Sequence, residues 1–68
     1  MKISQLKKIA AFHAKHIRTP GKFIRILDYV PHSSEIYIFY AEFAGKRRNY
    51  YWQIVLDKNG TLLKRQRI

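Results

Sequence analysis

His13 and His16 stand three residues apart, a spacing that on a helix can bring two imidazoles to one metal ion, with His32 or an isolated carboxylate as the further ligands on offer. The chain has no cysteine, which removes both a thiolate zinc site and a cysteine nucleophile. His13 falls on an apolar stripe and reads as a partly buried packing residue, while His16 reads as a polar residue of the same helix. No metal and no cofactor is expected. The same imidazoles, with an arginine or lysine on a phosphate, have the residue types for metal-free cleavage of RNA, yet no spacing singles out an acid and a base. Ser4, Ser33 and Ser34 lie where a helix cap and a turn need them. Gly21, Gly45 and Gly60 each fall at a turn rather than in a loop that cradles phosphate. A non-enzymatic role is the expectation.

The stronger chemical signal is cationic. The formal net charge is +10, from 14 Lys and Arg against 4 Asp and Glu. Residues 1–27 carry Lys2, Lys7, Lys8, Lys15, Arg18, Lys22 and Arg25 without an acid, and residues 58–68 add Lys58, Lys64, Arg65 and Arg67. Between them Lys46, Arg47 and Arg48 nearly balance Asp28, Glu35, Glu42 and Asp57. Positive ends around a nearly neutral aromatic middle favour a polyanionic partner, DNA or RNA, over a small acidic substrate that would need only a few charges. The plainer alternative is solubility, together with protection of exposed strand edges by charge. Lys46, Arg47 and Arg48 at a hairpin tip, with Lys64, Arg65 and Arg67 on a final strand, are the accessible candidates for phosphate contact. Tyr51 and Arg25 join them if an open sheet face stacks bases and neutralises phosphates. Those aromatics could equally be core or dimer contacts.

These residues must be held by a helix and a sheet. Ile3, Leu6, Ile9, Ala10, His13 and Ile17 recur at steps of three and four, predicting a helix over residues 4–18 capped by Ser4 and stopped by Thr19-Pro20-Gly21, a type II turn. The period then changes. Residues 22–30, 35–44 and 48–57 are rich in β-branched and aromatic residues and are punctuated by Pro31-His32-Ser33-Ser34 and Gly45-Lys46. Asp57-Lys58-Asn59-Gly60 is a hairpin signal that returns residues 61–68 as a fourth strand. The expected fold is α+β: one N-terminal helix packed on a four-stranded antiparallel meander, α-β-β-β-β, forming a single domain over residues 1–68. In the first strand, alternation sets Ile24, Ile26 and Val30 against Phe23, Arg25, Leu27 and Tyr29. In the second, Ile36, Ile38 and Tyr40 oppose Tyr37, Phe39, Ala41 and Phe43, with neither side polar. If the Trp52 side of the third strand faces the helix, the open face holds Tyr51 and Val55. It also holds the aromatic row of the second strand, should Tyr37, Phe39 and Phe43 point outward, along with Arg25, Arg65 and Arg67.

A chain of 68 residues buries only about 60% of the surface that its unfolded form exposes, and no disulfide compensates. Hydrophobic residues at 47% and aromatics at 15% nevertheless argue for folding over disorder. No apolar run approaches a membrane span, and Met1-Lys2-Ile3-Ser4-Gln5 lacks the apolar stretch of a signal peptide, so a cytoplasmic protein without membrane contact is expected. Residues 50–63 resemble the closing hairpin of PepSY-type domains, which also set a helix before a small antiparallel sheet. They resemble less closely the arm-site DNA-binding domain of phage integrases, whose helix follows its strands. The likeness is confined to that hairpin and carries no functional residue onto this chain. The residues together predict a small basic nucleic-acid-binding protein that acts mainly through phosphate contacts. The alternative is a protein-interaction module, a small regulator or inhibitor, that uses an apolar sheet face or an edge strand. A homodimer fits either.

Overall fold

The apolar stripe winds into α1 (Ile3–Lys15), one residue earlier than Ser4 would start it, because Ile3 already belongs to the buried side. Lys2 is the extended N-cap residue, and the Gln5 carboxamide accepts a hydrogen bond from its backbone N–H at 3.1 Å, so Ser4 lies inside the first turn. The helix also ends short of Arg18. The His13 and Ala14 carbonyls accept from the His16 and Ile17 amides in tight i to i+3 bonds, and His16 Nδ1 lies 2.8 Å from the Phe12 carbonyl, donating to it as the Nδ1-H tautomer. With its last carbonyls satisfied in this way, the helix closes without a glycine.

The computed structural model describes the whole chain except Asp28 and His32, and the backbone but not the side chains of Val30 and Pro31. The third candidate histidine ligand, His32, and the placement of the Val30 side chain therefore lie outside the described residues. Five strands follow the helix: β1 (Lys22–Ile26), β2 (Val30–Pro31), β3 (Ile36–Ala44), β4 (Tyr50–Asp57) and β5 (Leu62–Arg67). All pair antiparallel in the order β1-β3-β4-β5, with β2 also on β3. The α+β architecture read from the sequence is the one observed, except that its first strand comes in two pieces. The register explains the break. Phe23 faces Phe43 and Arg25 faces Glu42, so Ile24 is an extra residue. From Ile26↔Ala41 to Val30↔Ile38 a second extra residue enters. Bulges of this kind are common at sheet edges, where they end pairing and discourage edge-to-edge association.

The bulge at Ile24 overturns the simple alternation expected of the first strand. Phe23 and Ile26 both point toward the helix, Arg25 points away, and Ile24 is exposed. The aromatic row of β3 points inward as well. Phe39 pairs with Ile54, Ala41 with Trp52 and Phe43 with Tyr50, so all lie on the side that α1 covers, and Phe39 and Phe43 are 0% and 2% exposed. Leu6, Ala10 and Ala14 of α1 close on this face together with Ile26, Ile54 and Leu56. The two alanines let the helix backbone approach a sheet surface already filled by phenylalanine. The open face carries Ile36, Ile38 and Tyr40 of β3, half-buried, beside Gln53 and Val55 of β4.

Two turns frame the sheet. At the β4–β5 hairpin Asp57 Oδ1 accepts from the Asn59 and Thr61 amides at 2.8 and 2.9 Å, and Gly60 alone takes a positive φ, 83°. Gly21 does not, so the expected type II turn is absent. Glycine is needed there for room, since a Cβ would run into the Tyr50 hydroxyl and the Ala44 carbonyl. No helix of the described residues is long and apolar enough to cross a membrane.

Candidate nucleic-acid interface

The β3–β4 connection, residues 45–49, projects Lys46, Arg47 and Arg48 at one end of the sheet. Antiparallel pairing brings the start of β1 and the end of β5 to the same end, adding Lys22 and Arg67. These five cations line a cleft of about 660 Å³ around Tyr50, with Pro20, Gly21 and Asn49. Tyr50 is its fixed point. Its hydroxyl accepts from the Gly21 amide at 2.8 Å and shares a 2.6 Å hydrogen bond with Thr19 Oγ1. The ring stacks on Phe43, with centroids 5.5 Å apart and planes 11° apart, and the Arg67 guanidinium lies over its other side, 4.4 Å from the centroid. Cation and ring attract, which holds the guanidinium carbon over the ring.

Arg65 lies two residues from Arg67 on the same side of β5, about 7 Å along the strand. It lines a neighbouring hollow of about 400 Å³ with His16, Ile17, Arg18 and Trp52. The Trp52 indole N–H beneath it is buried and has no acceptor among the described residues. Burial, and then the Arg65 and His16 charges, hold the His13 imidazole nearby below the ordinary histidine value. A third groove of about 760 Å³ runs between α1 and β1. It has an apolar floor of Ala11, Phe23, Ile26 and Leu27, and beside Arg25 it carries only Lys7 and Lys8 as cations.

The electrostatics separate the clefts further. Among the described residues the ion pairs are Arg25 with Glu42, at 2.7 Å, and Lys58 with Glu35, at 3.2 Å. None of Arg18, Lys22, Lys46, Arg47, Arg48, Arg65 and Arg67 is paired with a carboxylate of the described residues, and all are exposed. Asp57 stands at the far end of β4, roughly 24 Å from Tyr50 along the strand. Glu42, closer by, is 7% exposed and already satisfied: Asn49 Nδ2 donates to it at 2.9 Å, Arg25 Nε at 2.7 Å and the Tyr51 hydroxyl at 3.3 Å. The Asn49 and Arg25 hydrogen bonds hold its carboxyl below the usual carboxylate range, and the same pairing raises the pKa of Arg25.

Of the residues singled out in the sequence, Lys46, Arg47, Arg48 and Arg67 converge on the Tyr50 cleft, and Arg65 lies next to it. Arg65 and Arg67 are on the helix side of the sheet, contrary to their expected place on the open face, because Arg65 pairs with Ile54 and Arg67 with Trp52. Arg25 and Tyr51 are on the open face but engaged with Glu42, and Lys64, opposite Val55, also faces away from the cleft. Sequence reasoning passed over Lys22, Arg18 and Tyr50. Lys22 could have been found by pairing the first and second strands as a hairpin, which sets residue 22 against residue 44. His13 and His16 share the end of α1, and among the described residues no three His, Asp or Glu side chains form a metal-binding group.

No protein-family model matches the chain, and neither a curated protein nor a solved structure matches it.

Proposed function

We propose that the protein is a small, non-enzymatic nucleic-acid-binding protein that grips the phosphate backbone in the Tyr50 cleft and along the helix side of β5. The observation that carries this reading is the convergence of Lys22, Lys46, Arg47, Arg48 and Arg67 on one cleft without carboxylate partners among the described residues, continued by Arg65 and Arg18. A solubility role would need only scattered charge. Five phosphate contacts release enough counterions for a slope of about 4.5 in log affinity against log salt, roughly a 500-fold loss between 50 and 200 mM salt. In a titration against duplex DNA, single-stranded DNA and RNA, replacing Arg47 and Arg48 together by Ala should weaken binding to all sequences alike and lower the slope by about one per lost contact. Absence of binding to all three at low salt overturns the reading.

The open face supports a second statement, that a second copy of the chain covers it. Ile36, Ile38, Tyr40 and Val55 lie there half-buried, and its charges nearly balance, Lys22, Arg25 and Lys64 against Glu42 and Asp57. A two-fold pairing through this face opposes nearly neutral surfaces and leaves Arg65 and Arg67 of both copies outward.

A further inference from the structure

The Tyr50 cleft contains a platform as well as a charge cluster, and we infer that the outer plane of the Arg67 guanidinium receives an unpaired nucleobase, so that the cleft prefers single-stranded nucleic acid. This rests on the nucleic-acid reading above and narrows it. Phe43, Tyr50 and Arg67 form a three-layer column. The lowest ring is in the core at 2% exposure, the middle ring is stacked on it and pinned through its hydroxyl by Thr19 and Gly21, and the top layer is a planar cation on an exposed residue. A guanidinium that only met phosphates would need its N–H edges free and no fixed plane. Here the guanidinium carbon sits 4.4 Å from the centroid of a ring that is itself pinned, and placing the cation in advance lowers the ordering cost of stacking one more layer.

Bases stack on arginine planes as they do on aromatic rings, and an arginine adds attraction between its charge and the π-face. A base within a duplex has both faces covered by its neighbours, so only an unpaired or splayed base can take this position. The surrounding cations suit the same ligand. Lys22, Lys46, Arg47 and Arg48 line the same cleft as Tyr50 and Arg67, within reach of phosphates flanking the stacked nucleotide. Tyr51, the stacking candidate that the sequence offered, has its hydroxyl on Glu42 and lies on the other side of the sheet.

The test uses Arg67→Lys, which keeps the charge and loses the plane, against three probes: an oligonucleotide of mixed sequence as single-stranded DNA and as RNA, the same strand with abasic positions, and its duplex. The wild-type protein should bind the intact strand roughly tenfold more tightly than the abasic one, the weight of one good stacking contact. Arg67→Lys should erase that ratio while leaving the salt slope for the single strand near its wild-type value, because the cation remains. If Arg67→Lys weakens intact, abasic and duplex probes by one common factor, or changes none of them, Arg67 is a phosphate contact or a bystander and the stacking inference falls alone. If the wild-type protein binds no probe at low salt, the nucleic-acid reading falls with it.

Discussion

Glu42 and His13 are the two residues whose protonation the fold perturbs in a direction that stability can report. Three donors hold the Glu42 carboxylate, so the folded state keeps it more acidic than the unfolded chain does. Its contribution is complete above the ordinary glutamate value, about 4.3, and is lost as pH falls through the lower folded value. His13 is also shifted down, chiefly by burial, so between its two pKa values the unfolded chain binds the extra proton and stability falls as pH drops below about 6.5. Urea midpoints measured against pH should therefore show two acid limbs. Glu42→Gln should flatten the lower and His13→Gln the upper. A Glu42→Gln profile parallel to the wild type below about pH 4 contradicts the role given to the Asn49 and Arg25 hydrogen bonds.

At the scale of elements, α1 depends on few side chains for its docking, and Leu6 is the largest fully buried one among them. Leu6→Ala should cost about 2–5 kcal/mol, a large share of the total for so short a chain, and chemical denaturation reads it directly. A loss under about 0.5 kcal/mol, ordinary for surface positions, would mean that the helix does not pack as described. Helix and strands were legible because the apolar period changes from three or four residues to two after Pro20, and because Asp57-Lys58-Asn59-Gly60 encodes its own hairpin. The faces were not. In β3 both sides are apolar, so alternation gives no sign of which side meets the helix, and an extra residue at Ile24 leaves no periodic trace while reversing the sides that follow it. The basic hairpin tip and final strand were legible as accessible charge. Their meeting with Lys22, and the division of Arg65 and Arg67 from Lys64, depend on strand register, which no local pattern spells out.

The whole molecule is long and narrow, with Cα extents of 37 × 18 × 18 Å. The strands β1, β3, β4 and β5, of 5, 9, 8 and 6 residues, are about 17 to 31 Å long at about 4.8 Å spacing and offer roughly 450 Å² per copy, below the ~800 Å² of a standard interface. The proposed dimer is accordingly weak and should appear in sedimentation only as concentration rises. Val55→Lys at the middle of the open face should abolish it. A monomer at every concentration would leave that face to a different protein. The connector before β1 has a consequence of its own. The Gly21 amide is held by a hydroxyl 29 residues away in sequence, and the next residue, Lys22, is one wall of the cleft. Solvent deuterium can replace that one amide proton only when the connector lifts from Tyr50, the same excursion that carries Lys22 away from Arg67. The exchange rate at a single glycine thus counts how often the basic cleft comes apart and re-forms.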